Sequence, residues 1–464
     1  MTAPASVPGL WSRQLRATTA GLVLTVTLVA SEALAVITIL PVISHDLGGI
    51  SLYGWVISAF SLGMLFGIVI GGAEADRRGP ATPFVGGLIL FAAGLAVGGL
   101  APTMLVLVPA RGLQGVGAGI IESVAFVSIG RSYDDSLRAR VLAILATAWI
   151  VPGLVGPSIA AFVAVRLGWR LVFLGLIPLV AGAGAIAIPP LLSLGPPGRI
   201  AKAPGRTVDA MRVALGTGLT LAGLGNRSPE VAIGLVMAAG LVGARPLLRL
   251  LPVGTLRALP GLPAAVLARG LLTFSFFGAD TFVPLLLTSA RGQSAVVAGI
   301  AVTASTVSWT AGAWFQARMA ATWSSRRLVG AGFAFLVAGI AVVAAVLVPT
   351  VPVWVAILGW LLGGLGIGIA YASISLAVLR EAPEGQEGSS AASMQLSETL
   401  GIAFGAGLGG VAVAAAAAAG WPAQVGLGAA FALAAAAASI GLVAARRLTE
   451  RRPTPGPSGP SGSL

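Results

Sequence analysis

The chain contains no cysteine, which excludes disulfide bridges and thiolate metal sites. It has one histidine, His45, too few for a histidine metal centre. Lysine is reduced to Lys202, so arginine carries almost all the positive charge, and with abundant Ala and Gly this suits a GC-rich bacterial genome. Charge itself is scarce: 9% of residues are Asp, Glu, Lys or Arg, against about 25% in a soluble domain. With 57% hydrophobic residues and a mean hydropathy of +0.97, the 464-residue chain cannot cover itself with a wetted surface. No nucleophile–base pair, metal cluster or phosphate-binding loop is legible, so neither an enzyme nor a cofactor is expected.

What is present is a series of long apolar runs. They last about twenty residues and do not alternate in polarity, which fits bilayer-spanning helices and not the strands of a barrel. Twelve are clear, the first at 17–43 and the last at 422–445. Two weaker ones, near 208–226 and 230–250, carry Arg212, Arg245 and Arg249 close to their ends, where long side chains can reach the interface. The expected fold class is an all-α polytopic membrane protein with fourteen spans, twelve being the alternative. Ala33-Leu34-Ala35 looks like a signal-peptidase site, but the apolar run continues past it to Leu40, so a retained first span is expected.

The net charge of +13 is dispersed between apolar segments, which points to topology signals and lipid head groups and away from nucleic acid. With the N-terminus inside, only Arg166, Arg170, Arg227 and Arg291 fall on the outer side, and Arg111 falls within a span. The remaining basic residues collect on the inner side or at inner helix ends, Arg269 among them. Both termini are therefore expected in the cytoplasm of a bacterial cell, with the protein in its inner membrane. The expected organisation is a cytoplasmic segment 1–16, a six-helix bundle 17–191, a linker 192–263 with two extra helices, a second bundle 264–446 and a disordered tail 447–464.

Four acids lie inside spans: Glu32, Glu122, Asp280 and Glu398. A charge at such a position is costly and marks a functional site by default, and an acid held out of water can exchange a proton near neutral pH. Glu32 and Asp280 are the expected carriers of the proton or of substrate charge. Asp280 lies midway between Arg269 and Arg291, which suggests the bilayer midplane. In "RGLQGVGAGIIES", Arg111, Gln114 and Glu122 share one helix face, since eleven residues make close to three turns. Arg111, Gln114, Glu122 and Glu398 are expected to tune the buried acids. The glycines of "GVGAG" suit close helix packing better than a dinucleotide loop, because no strand precedes them.

Several of these stretches resemble motifs of the major facilitator superfamily. "GGAEADRRG" after the second span resembles its G-x-x-x-D-R-x-G signature through Gly72, Asp76, Arg77 and Gly79, and "RGLQGVGAG" resembles its fourth-span motif. "GLVGPSIAA" resembles its antiporter motif imperfectly, supplying Gly153, Gly156 and Pro157. "SEALAVITILP" resembles the first span of fourteen-helix drug–proton antiporters, with Glu32 where that family has aspartate. In the second half, "GAWFQAR" has Gln316 in place of the signature aspartate. The resemblance implies two pseudo-symmetric six-helix bundles that rock about a central cavity and export a small amphipathic compound against protons. It also implies a gate latch at Asp76 and Arg77 and a bendable fifth helix at Gly153, Gly156 and Pro157. The protein is expected to be monomeric, with lipids and substrate as its partners. The alternatives are export of a lipid or lipid-linked metabolite by the same fold and, less favoured, a non-transporting scaffold or sensor.

Overall fold

The computed structural model describes residues 10–12, 15–133, 150–195, 204–320, 322–383 and 386–449, with Leu137, Val141, Ile144 and Ala148. Most of segment 1–16, the stretch 196–203 of the linker and the tail from 450 onwards lie outside the described residues, as does most of the expected fifth span before Ile150.

The described residues form long helices joined by short turns, which satisfy every backbone group of these unbroken apolar runs within the segment itself. The first bundle comprises α1 (Arg16–Leu47), α2 (Tyr53–Arg78), α3 (Ala81–Gly99), α4 (Met104–Ser132), α5 (Ile150–Val163, continued by a π-helical stretch to Gly168) and α6 (Arg170–Leu192). Between the bundles lie α7 (Pro204–Leu224) and α8 (Pro229–Leu250). The second bundle comprises α9 (Leu262–Ala290), α10 (Ala295–Met319), α11 (Ser325–Ala345), α12 (Trp354–Glu381), α13 (Glu387–Ala418) and α14 (Ala423–Ala445). Of these helices, 13 are long and apolar enough to cross a bilayer; α7 falls short because Arg206, Asp209 and Arg212 sit in its first turns.

The packing repeats between the bundles. In the first, α4 packs on α2 and α3, and α6 on α1 and α3; in the second, α12 packs on α10 and α11, and α14 on α9 and α11. The bundles meet along two seams, α2 against α13 and α5 against α10, which are exchanged by the same pseudo-two-fold. The "GVGAG" glycines do the packing expected of them. A Cβ on Gly115 or Gly119 would strike the α2 backbone, and one on Gly117 the α3 backbone.

Hydrogen bonds joining the bundles lie toward the end where α1 gives way to α2. Tyr53 donates to the Thr281 carbonyl (3.2 Å), Ser58 to the Ala403 carbonyl (2.8 Å), and the Ser158 and Thr303 hydroxyls are 3.3 Å apart. At the same end Gly54 and Gly410 touch backbone to backbone, with a Cβ on Gly54 falling 2.8 Å from Gly410 Cα. The helices α7 and α8 pack on one another, and α7 leans on both α2 and α13. There Ala210, Val213 and Leu250 join Leu62, Leu65, Leu396 and Leu400 in a second apolar core.

Candidate functional site

Glu32, in the middle of α1, and Arg111, on α4, form an ion pair with both side chains 1% exposed. Arg111 also donates to the Gln114 side-chain oxygen one turn on and, through Nε, to the Val56 carbonyl (3.3 Å). Its guanidinium lies 4.4 Å from the centre of the Phe60 ring. This fixes the cation from α1, α2 and α4 together. Oε2 of Glu32 and Nε2 of Gln114 have no hydrogen-bond partner among the described residues. The cluster thus holds one carboxylate oxygen against a permanent charge and leaves the other free to take a proton.

The second bundle holds a buried pair that sequence reading missed. Arg269, taken above for an inner-end topology residue, is 2% exposed within α9. Its Nε donates to Glu398 Oε2 on α13 (2.9 Å), and its Nη1 donates to the Tyr371 carbonyl on α12 (2.8 Å). The guanidinium carbon lies 3.2 Å from the Tyr371 ring centre, and the Tyr371 hydroxyl donates to Glu398 Oε1 (2.8 Å). Glu398 therefore has both oxygens satisfied. The sequence signal was available: Arg269 lies two turns inside the run that starts at Leu262.

In α9, which runs from Leu262 to Ala290, Asp280 is 10 residues from the Ala290 end. It stands at a break in the helix, where Thr281 and Phe282 form a turn and Pro284 can offer no N–H to the Asp280 carbonyl. The buried Asp280 carboxylate accepts from the Trp360 indole of α12 at 2.7 Å. Trp360 stacks on Phe276 with ring centres 5.0 Å apart. Trp360 was not foreseen; a tryptophan amid the glycines of "LGWLLGG" needs a partner for its N–H, which was the available clue.

Glu122 does share the Arg111 face of α4, but eleven residues of helix, about 16 Å, separate them. Glu122 instead comes within electrostatic reach of Glu398 and Tyr371 in the other bundle. The four acids therefore fall into three places and not one: Glu32 with Arg111, Asp280 with Trp360, and Glu122 opposite Glu398.

The signature after the second span is helical, since α2 continues to Arg78. Arg77 pairs with Glu74 of its own helix (2.8 Å). Asp76 is exposed and makes no ion pair among the described residues, and Gly72 and Gly79 flank this last turn. Neither Asp76 nor Arg77 thus makes an ion pair with a neighbouring helix among the described residues, while Gly72 lies against Ser123 of α4. Gly153, Gly156 and Pro157 sit on the α5–α10 seam: a Cβ on Gly153 would strike Thr306, Gly156 faces open space, and the Pro157 carbonyl lies beside Gly299. Gln316, in the second-half counterpart, is buried within α10.

Comparison with known proteins agrees with this architecture. A protein of Mycobacterium tuberculosis named "probable multidrug-efflux transporter" is 29% identical over 439 residues, covering 89% of this chain and 91% of its own. The methylenomycin A resistance protein of Bacillus subtilis is 24% identical over 384 residues, 80% of each chain. Among solved structures, a POT family transporter bound to 5-aminolevulinic acid superposes with a TM-score of 0.70 at 14% identity, covering 94% of this chain and 98% of its own. A bacterial homologue of the human lysosomal transporter Spinster, captured inward-facing and unoccupied, does so with a TM-score of 0.66 at 15% identity and the same coverages. Residues 21–406 match the Major Facilitator Superfamily as a whole, and the chain belongs to that family of membrane transporters.

Proposed function

We propose that the protein is a proton-coupled antiporter that exports small amphipathic compounds, drugs among them, by alternating access. The observation that carries this reading is the Glu32–Arg111–Gln114 cluster, which holds one carboxylate oxygen against a fixed cation deep in the first bundle and leaves the other without a partner among the described residues. Protonation of Glu32 would loosen its hold on Arg111, and substrate or counter-movement of the bundles would restore it. Asp280, at the broken helix beside the Tyr53–Thr281 contact, is the second proton carrier. The names of the mycobacterial and Bacillus relatives support export of drugs and antibiotics as the task. The protein would work as a monomer in a bacterial inner membrane with both termini cytoplasmic, using protons and no bound cofactor. One proton crossing 100 mV supplies about 2.3 kcal/mol, enough for roughly fifty-fold accumulation.

The test is pH-gradient-driven efflux of ethidium from proteoliposomes, comparing wild type with Glu32→Gln, Asp280→Asn and Arg111→Ala. Gradient-dependent efflux in wild type that disappears in the acid variants is the expected result. Folded wild type that moves no amphipathic compound under any gradient would sink the reading.

A further inference from the structure

Several arginines at the end of the molecule where α1 begins are already engaged within the chain. Arg77 and Arg78 pair with Glu74, and Arg447 donates to the Arg257 and Ala258 carbonyls. Arg327 and Arg446 differ: among the described residues neither guanidinium has an ion-pair or hydrogen-bond partner. They nevertheless stand together, because with Arg326 they line one cleft of about 450 Å³ between the start of α11 and the end of α14. No acid lines that cleft among the described residues. Orientation in a membrane needs positive charge at this end but not its convergence on a concavity, so the convergence points to an anion.

The cleft has the build of an interfacial site. Trp323, 37% exposed, forms one wall and meets Phe315 of α10 edge-on, with ring centres 5.9 Å apart. An indole at a helix end suits the boundary between headgroups and hydrocarbon. Ser324 caps α11 by accepting from the Arg327 N–H (3.4 Å), so the positive end of that helix opens on the cleft as well. The floor is apolar and shallow, with Leu442 4.0 Å from where a Cβ on Gly330 would lie. One and two turns deeper, Ala334 and Ala338 continue the Gly330 row of α11 at four-residue spacing, and both are exposed. The cleft thus leads from a cluster of cations into a groove of small side chains along the outer surface of the second bundle.

We propose that this cleft binds one anionic phospholipid, its phosphate among Arg326, Arg327 and Arg446 and an acyl chain along the Gly330–Ala334–Ala338 row. Guanidinium forks match phosphate oxygens in pairs, and basic pockets between spanning helices on the cytoplasmic side suit anionic headgroups. A zwitterionic lipid brings its own cation to a cleft that already holds three arginines and no acid, so it is disfavoured. A soluble phosphate would meet the arginines alone and leave the groove empty. The site is independent of export; only its inner-leaflet location rests on the cytoplasmic placement of the termini.

The experiment is native mass spectrometry of the purified, delipidated full-length protein in detergent micelles, titrated with dioleoylphosphatidylglycerol or dioleoylphosphatidylcholine. The first phosphatidylglycerol is expected to bind at least about tenfold more tightly than the first phosphatidylcholine, the scale of two arginines at a membrane surface. Arg327→Gln and Arg446→Gln should each lower phosphatidylglycerol affinity about fivefold, and together they should abolish the preference. Arg245→Gln, which removes an exposed arginine of α8 outside the cleft, should leave the preference intact. Excess glycerol 1-phosphate should not displace the lipid. Equal affinity for the two lipids in wild type overturns the proposal whatever the variants do. An equal loss in Arg245→Gln and Arg327→Gln also overturns it, by reducing the effect to net charge. Displacement by glycerol 1-phosphate does the same, by making the cleft a site for a soluble anion. Should the double variant fail to fold, an unchanged preference in both single variants is equally fatal. No transport is read, so a protein that exports nothing can still bear out this site.

Discussion

Glu32 and Arg111, 79 positions apart in sequence, meet as an ion pair in which each side chain is 1% exposed. Breaking such a pair from one side leaves a buried charge behind, whereas removing both ends can cost little. Arg111→Ala should therefore destabilise the protein by about 3–5 kcal/mol, and Arg111→Met combined with Glu32→Met should recover much of that loss. Thermal unfolding in detergent reads the stability, and proton-driven efflux should stay absent in both proteins. A double variant as unstable as the single one would show that the pair is not what Arg111 contributes.

The Arg269–Glu398–Tyr371 group makes a different prediction, because Glu398 is held twice. Tyr371→Phe removes the hydroxyl that donates to Glu398 but leaves the ring under Arg269. The expected loss is about 1.5–3 kcal/mol. It should shrink sharply when Glu398 is already Gln, so a double-mutant cycle of melting free energies gives the coupling directly. Additive losses would contradict the geometry.

Asp280 and Trp360 can be separated by chemistry. Asp280→Asn keeps an oxygen for the indole N–H and should fold like wild type while losing coupled efflux. Trp360→Phe keeps the stack on Phe276 but strips the donor, so it should lower melting temperature as well as transport. Equal melting temperatures for Trp360→Phe and wild type would mean that the hydrogen bond does not stabilise this state.

The contact between Gly54 and Gly410 tolerates no side chain. Gly410→Val should wedge the bundles apart at that end, with an overpacking cost of about 1–3 kcal/mol. Distances between spin labels on α2 and α13, at positions near Tyr53 and Val411, should lengthen in the variant. Tyr53→Phe, which loses the bond to Thr281, should shift the same distribution more weakly.

The helices were legible in the sequence because hydrophobic length alone dictates them in lipid, and the four buried acids stood out for the same reason. Their partners were not. Glu32 and Arg111 share no spacing rule, since contact between helices depends on how bundles assemble and not on position along one of them. Arg269 was hidden by a sound rule applied at the wrong place: an arginine near a span's end usually marks the inner surface, and here it lies two turns deep. Glu122 was correctly placed on the Arg111 face, yet helix rise put it beyond reach of Arg111 and opposite the other bundle.

The central hairpin has an effect that the pseudo-two-fold conceals. Because α7 leans on α2 and α13 together, one of the two seams carries a protein flank. Among the described residues the other, between α5 and α10, has none: Val155, Ile159, Ile300 and Val307 show their apolar side chains to the surroundings. The molecule is therefore lopsided toward the hydrocarbon, with a buttressed side and a bare side. An oily solute dissolved in the bilayer therefore meets different surfaces at the two seams, three packed helices at one and a helix pair at the other.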